Sequence, residues 1–165
     1  TTLRRPPARL IASSAGLREI PVEELFAGPG SNTLRPGEIL LRVEVPAPSA
    51  NSAAFYHRFI PRNEMDIAVA SSGVSLTLDA AGTITAARVA LGAVAATPIL
   101  APAAAAALVG AQATPETFAA AGEAAAAAAS PIDDMRGGIA QRRHLAKILT
   151  IRALEGALKR IRETR

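Results

Sequence analysis

The stretch "DIAVASSGVSLTLDAAGTITAARVALGAV", residues 66–94, constrains the fold more than any other part of the chain. Two runs rich in Val, Ile, Leu and Thr flank "DAAG", where Asp79 and Gly82 supply turn chemistry, so the pattern predicts a β-hairpin. Strict alternation is lost near "DIAVA", which predicts that both faces of the strand are covered there. Directly afterwards the period changes. Alanine, the strongest intrinsic helix former, dominates the next segments. "TPILAPAAAAALVG" predicts a loop and a short helix ended by Gly110, opened at Thr97-Pro98 or Ala101-Pro102 because proline is tolerated in a first turn. "TPETFAAAGEAAAAAAS" predicts a second helix with Thr114 as N-cap and Pro115 at the first helical position. "SPIDDMRGG" is read as a loop, with Asp133 and Asp134 at a helix entry. A last helix is predicted over about residues 139–161. Leu145, Ile148, Ile151 or Arg152, Leu154, Leu158 and Ile161 form its apolar stripe, and its basic residues are assigned to the other faces.

The upstream half reads as strands and turns. "ARLIAS" is a short strand, "VEELF" a helical turn, and "AGPGSN" a turn. "EILLRVEV" alternates, with Ile39, Leu41, Val43 and Val45 expected on one face and Leu40, Arg42 and Glu44 on the other. Pro46 and Pro48 stop that strand. "AAFYHRF" is a further strand. Strands therefore come first and helices after. That order predicts an α+β fold with a small antiparallel sheet of about three strands packed against about three helices.

The chain has 165 residues, which suits one domain or one small domain with an appendage. It contains no cysteine and only two histidines, His57 and His144. That excludes disulfides, a cysteine nucleophile and cysteine-ligated zinc or iron–sulfur clusters within this chain, and argues against a metal site. A cysteine-free chain fits a cytoplasmic location. The formal charge is +4, yet residues 136–165 alone carry +7. Such a basic segment raises nucleic-acid binding as one reading and a solvated helix face as the other. With 3% aromatic residues there is little for bases to stack on. No signal peptide is visible, and the first residue is Thr1, so a processed chain or a fragment is expected. The uncharged window 89–110 is rejected as a membrane span because Pro98 and Pro102 interrupt it and alanine contributes little to insertion. No complete catalytic motif is present: no nucleophile elbow, no P-loop, no dinucleotide glycine fingerprint and no zinc-protease helix.

Three segments in fixed order add to this. They are "REIPVEELFAGPGSNTLRPGEILLRVEVP", "RFIPRNEMDIAVAS" and "ARVALGAVAATPILAPAAAAALVG". With the closing "DDMRGGIAQRRHLAKILTIRAL" they resemble the FAD-binding (medium) subunit or domain of the molybdenum hydroxylases, the xanthine dehydrogenase and aerobic carbon monoxide dehydrogenase family. The resemblance implies that residues 1–50 are the tail of an FAD-binding domain. Residues 51–165 would then be the C-terminal domain of the flavoprotein, a three-stranded antiparallel sheet carrying a helical bundle. It also implies a role in an oxidoreductase. FAD would receive electrons from molybdopterin through two [2Fe–2S] clusters, held by partner molybdopterin and iron–sulfur subunits, and pass them to an acceptor.

Two positions match flavin contacts of the family. Leu40 occupies a place where the family packs an apolar residue on the isoalloxazine region. Arg58 falls where the family often has a flavin-contacting lysine, and a cation there would stabilise negative charge on the reduced ring. Arginine for lysine is not a neutral exchange, because the planar fork donates differently. Arg62 and Asp66 match a recurrent pattern and are read as a structural pair at the strand entry. The sequence departs from the family at Gly138, where a serine is usual, and at Gln141, where a tyrosine is. The glycine-rich FAD loops of the family lie upstream of the matched segments, so this piece alone is expected to hold FAD poorly. Two other roles stay open: a subunit-assembly module without flavin contact, and a basic nucleic-acid-binding domain.

Overall fold

The computed structural model describes residues 8–62 and 65–164. They fall into two compact units that divide between Pro48 and Ser49.

The first unit is built on a three-stranded antiparallel sheet. Its strands are β1 (Ala8–Ser13), β2 (Gly16–Pro21) and, after a small hairpin of β3 (Phe26–Gly28) and β4 (Ser31–Asn32), β5 (Ile39–Glu44). The order is β2-β1-β5. A single 3-10 turn at Val22–Glu24 is all that "VEELF" contributes. The predicted alternation of β5 is corrected here. Arg9 and Ile11, two apart on β1, pair with Val43 and Leu40, three apart on β5, because a bulge intervenes. Residues paired across an antiparallel ladder share a face, so Leu40 and Val43 lie on one side while Ile39, paired with Ala12, lies on the other. Ile39, Leu41, Val43 and Val45 are exposed rather than forming one buried row. Among the described residues of this unit, Ile11 and Leu25 are the buried apolar ones.

The second unit is the α+β domain that the sequence pattern implies. Strand β6 (Ser52–Phe59) pairs with β7 (Ala70–Leu78), β7 with β8 (Ile84–Gly92), and β8 with the two-residue β9 (Ile99–Leu100), all antiparallel. Asp79 closes the central hairpin: its carbonyl accepts from Gly82 N at 3.2 Å and its carboxylate from Thr83 N at 2.8 Å. Gly82 takes φ +84°, which explains a glycine there. At the entry of β7, Val69, Ala70, Ser71 and Ser72 are all buried, as the broken alternation implied.

Three helices follow: α1 (Pro102–Leu108), α2 (Pro115–Ala128) and α3 (Ile139–Glu163). Pro102 opens α1, and Gly110, at φ +86°, lies just beyond its end. Thr114 caps α2, its hydroxyl accepting from Thr117 N at 3.3 Å. Helix α3 packs on β6, β7 and α2, and α1 packs on β8 and α2. The core between them combines Leu76, Ile84, Leu91, Leu108, Phe118 and Leu154 with a set of buried alanines. Alanine matters here because it lets helices approach: a Cβ on Gly122 of α2 would stand 2.8 Å from Ile151 Cγ1 and 3.1 Å from the Lys147 carbonyl of α3.

The predicted stripe of α3 is shifted around the helix. Its buried residues are Arg142, Ala146, Leu149, Thr150, Ala153, Leu154, Ala157 and Ile161. Leu145, Ile151 and Leu158 only flank the core. Arg142, read from the sequence as facing outward, points inward instead. Its guanidinium donates to three backbone carbonyls and to the Asp134 carboxylate, which makes burial tolerable. Farther along α3, Arg160 donates to the carbonyl of Ala54 on β6 at 2.7 Å and lies 4.4 Å from the centre of the Phe55 ring. No helix among the described residues is long and apolar enough to cross a membrane.

Candidate functional site

The candidate residues sit where β6 hands over to β7. Arg58 pairs with Ser71 and Phe59 with Ala70, the last rung of the ladder. Val69 N then donates to Phe59 O at 2.9 Å and closes the neck of the loop 60–68. Along β6, Phe55 faces the helices, where it meets Gly156 and Arg160. Tyr56 and Arg58, in the alternate phase to Phe55, belong to the open face of the sheet. Arg58 is exposed and, among the described residues, has no hydrogen-bond or ion-pair partner. An exposed, unengaged guanidinium fits the need of an anionic group for a cation.

The loop carries its own bracing. Arg62 Nε reaches Asp66 Oδ2 at 3.4 Å, while Asp66 Oδ1 accepts from Ile67 N at 2.9 Å. Burial pushes the Asp66 carboxyl upward, but the hydrogen bonds from Ile67 N and Arg62 outweigh it, and its pKa lies below the usual value. This is the structural pairing expected from the sequence. Met65 adopts φ +46° at the tip and is fully exposed.

Beneath the neck lies a residue that sequence reasoning missed. Arg142 is 5% exposed. Its Nε donates to Gly137 O at 3.1 Å, Nη1 to Val69 O at 2.9 Å and Ala93 O at 3.1 Å, and Nη2 to Asp134 Oδ1 at 2.7 Å. Asp134, read as a helix-entry charge, is instead the acidic partner of this arginine. A hydrogen bond from Arg136 N first, and Arg142 second, hold its carboxyl below the usual range. Gly138 stands at the N-cap of α3 without a side-chain cap, so the start of the helix is tied down through Arg142. The signal was present in the spacing: Arg142 is in phase with Ala146, Leu149 and Ala153 on the buried side.

Leu40 belongs to the first unit. It is half-buried on β5 opposite Ile11, on the face where Arg18 pairs with Glu38. Arg18 donates to both Glu38 oxygens at 2.7 Å and Arg35 N adds a third bond at 2.7 Å. Those bonds, the one from Arg18 foremost, lower the Glu38 pKa to about 2. Among the described residues no group of His, Asp and Glu is arranged to hold a metal. A groove of about 410 Å³ between Pro115, Phe118, Leu158 and Arg162 lies sixteen residues beyond Arg142 along α3, roughly 24 Å away at 1.5 Å per residue.

The basic residues of α3 divide between engaged and exposed positions. Arg142 is buried, Arg143 donates to Ala129 O, Lys147 pairs with Glu123, and Arg160 is spent on Ala54 and Phe55. Four basic residues of α3 thus fasten it to its neighbours, while Arg152, Lys159 and Arg162 are exposed.

A sheet covered on one side by a helical bundle, with a braced loop at one end, defines a small α+β domain. Residues 55–157 match the family of the CO dehydrogenase flavoprotein C-terminal domain, and the chain belongs to that family. Among characterised relatives, the 6-hydroxypseudooxynicotine dehydrogenase complex subunit alpha of Paenarthrobacter nicotinovorans is 29% identical over 153 residues, covering 93% of this chain and 51% of the relative. The solved carbon monoxide dehydrogenase from Hydrogenophaga pseudoflava, in a form lacking the Mo-pyranopterin moiety of the molybdenum cofactor, superposes with TM-score 0.88 at 31% identity, over 94% of this chain and 53% of that one. Quinoline 2-oxidoreductase from Pseudomonas putida 86 superposes with TM-score 0.85 at 32% identity and the same coverage, 94% and 53%. The chain therefore spans about half the length of the relatives it matches.

Proposed function

We propose that this chain forms the C-terminal part of the FAD-binding subunit of a molybdenum hydroxylase. In that enzyme electrons run from iron–sulfur clusters through FAD to an acceptor. The family of residues 55–157, together with the likeness to carbon monoxide dehydrogenase and quinoline 2-oxidoreductase, supports the class. The observation that carries the site is Arg58: an exposed guanidinium, unengaged by the described residues, at the neck of a braced loop. FAD, when bound, supplies the acceptance and onward transfer of electrons. Arg58 offers a fixed positive charge that lowers the energy of negative charge on the reduced ring. Leu40 offers apolar surface for the ring system. Molybdopterin and the [2Fe–2S] clusters are assigned to partner subunits, substrate recognition to the molybdopterin subunit, and the whole to the cytoplasm. On this reading the chain is not a catalyst by itself.

The test uses the full-length subunit with bound FAD. Arg58→Ala is expected to lower the flavin midpoint potential, because the reduced ring loses its counter-charge. An unchanged potential, with unchanged flavin affinity, would overturn the role given to Arg58.

A second reading, a subunit-assembly module without flavin contact, draws on exposed apolar side chains of the two loops that Arg142 ties together: Met65 and Ile67 on one, Ile132 and Met135 on the other. Co-purification of the partner subunits that survives removal of FAD but is lost on Met65→Asp and Met135→Asp would favour it.

A further inference from the structure

We propose that Arg142 is a positioning residue that fixes the neck of the loop 60–68 and, through it, the direction in which Arg58 presents its charge. The inference rests on the flavin-side reading of Arg58 above.

The connection is short and continuous. Arg142 Nη1 holds the Val69 carbonyl at 2.9 Å. The other side of the same residue, Val69 N, holds Phe59 O at 2.9 Å. Phe59 follows Arg58 directly and occupies the last rung of the β6–β7 ladder. One guanidinium thus anchors the residue that anchors the end of β6.

The same fork reaches Ala93 O, Gly137 O and Asp134 Oδ1, so it joins the entry of β7, the exit of β8, the turn 134–137 and the start of α3. Ala93 is held at φ +61°, a left-handed conformation that a residue with a Cβ adopts at a cost, and its carbonyl is one of the four acceptors. Planarity is needed here. The guanidinium sends N–H groups in fixed, divergent directions, whereas a lysine ammonium is a single point on a flexible stem. Lysine at 142 would keep the charge for Asp134 and lose most of the span.

The experiment uses the full-length, FAD-loaded subunit and compares Arg142→Lys, Arg58→Ala and the double variant. Two readouts are followed: hydrogen exchange of the Val69 and Ala70 amides, and the flavin midpoint potential. Arg142→Lys is expected to speed exchange at Val69 and to shift the potential in the direction of Arg58→Ala, by a smaller amount. The double variant is expected to shift it no further than Arg58→Ala alone, since Arg142 acts through Arg58. If Arg58→Ala moves the potential and Arg142→Lys does not, the positioning role falls while the flavin reading stands. If neither moves it, both fall. Should Arg142→Lys not fold, Asp134→Ala removes the one charged acceptor and so loosens the hold of the guanidinium on Val69 and Ala93. A small shift in the same direction is then expected, and no shift overturns the inference.

Discussion

Gly156 of α3 lies so close to the ring of Phe55 on β6 that a Cβ added to it would stand 2.7 Å from the ring carbons. The ring cannot readily retreat, because Arg160, one turn further along the helix, sits 4.4 Å from its centre. Gly156→Ala is therefore expected to destabilise the second unit despite alanine's better helix propensity. Overpacking costs about 1–3 kcal/mol and the helix term returns up to about 1, leaving a net loss of about 1 kcal/mol at the middle of the range. The midpoint of chemical denaturation measures it; an unchanged or raised midpoint would mean that β6 and α3 can move apart.

Ser72 and Thr150 share a hydrogen bond of 2.9 Å between two wholly buried hydroxyls, one on β7 and one on α3. Thr150→Val deprives Ser72 of its partner and is expected to cost about 1–3 kcal/mol. Ser72→Ala with Thr150→Val removes both polar groups and should recover part of that loss. A double-mutant cycle checks this, with a coupling of about 1 kcal/mol or more expected.

Glu38 gives the first unit a pH dependence. Its pKa falls to about 2 in the fold, from an ordinary value of 4.5, mainly through Arg18. A depressed carboxylate contributes stability above its unfolded pKa, and that contribution drains away as pH falls from about 4.5 toward 2. The protection of β1 amides against hydrogen exchange, taken relative to the intrinsic rate at each pH, should fall over this interval. Glu38→Gln should flatten the profile while leaving exchange at β7 unchanged.

The second unit was largely legible from the sequence. Asp79 and Gly82 mark a hairpin because only a few residue types make such a turn, and Thr114-Pro115 marks a helix start for the same reason. What escaped has equally physical causes. A bulge leaves the letters of β5 alternating while rotating Ile39 and Val43 to opposite faces. The seam of α3 runs through Ala146, Ala153 and Ala157, whose burial carries little hydrophobic weight, so larger neighbours drew the stripe aside. Arg142 reads as surface because its satisfaction depends on carbonyls from residues 69, 93 and 137, far apart in the chain. Of the candidate site, Arg58 was reached through family resemblance, since an exposed arginine on a strand announces nothing by itself.

The bond from Arg160 to the Ala54 carbonyl has a consequence for solubility. Strand β6 ends its sheet, and an unpaired strand edge is a template on which another chain can add. Arg160 occupies one of the acceptors along that rim, and α3 lies against the strand itself. An incoming strand must first displace a charged side chain whose guanidinium lies over the Phe55 ring. The arginine that fastens the helix therefore also serves as a stopper against runaway sheet growth.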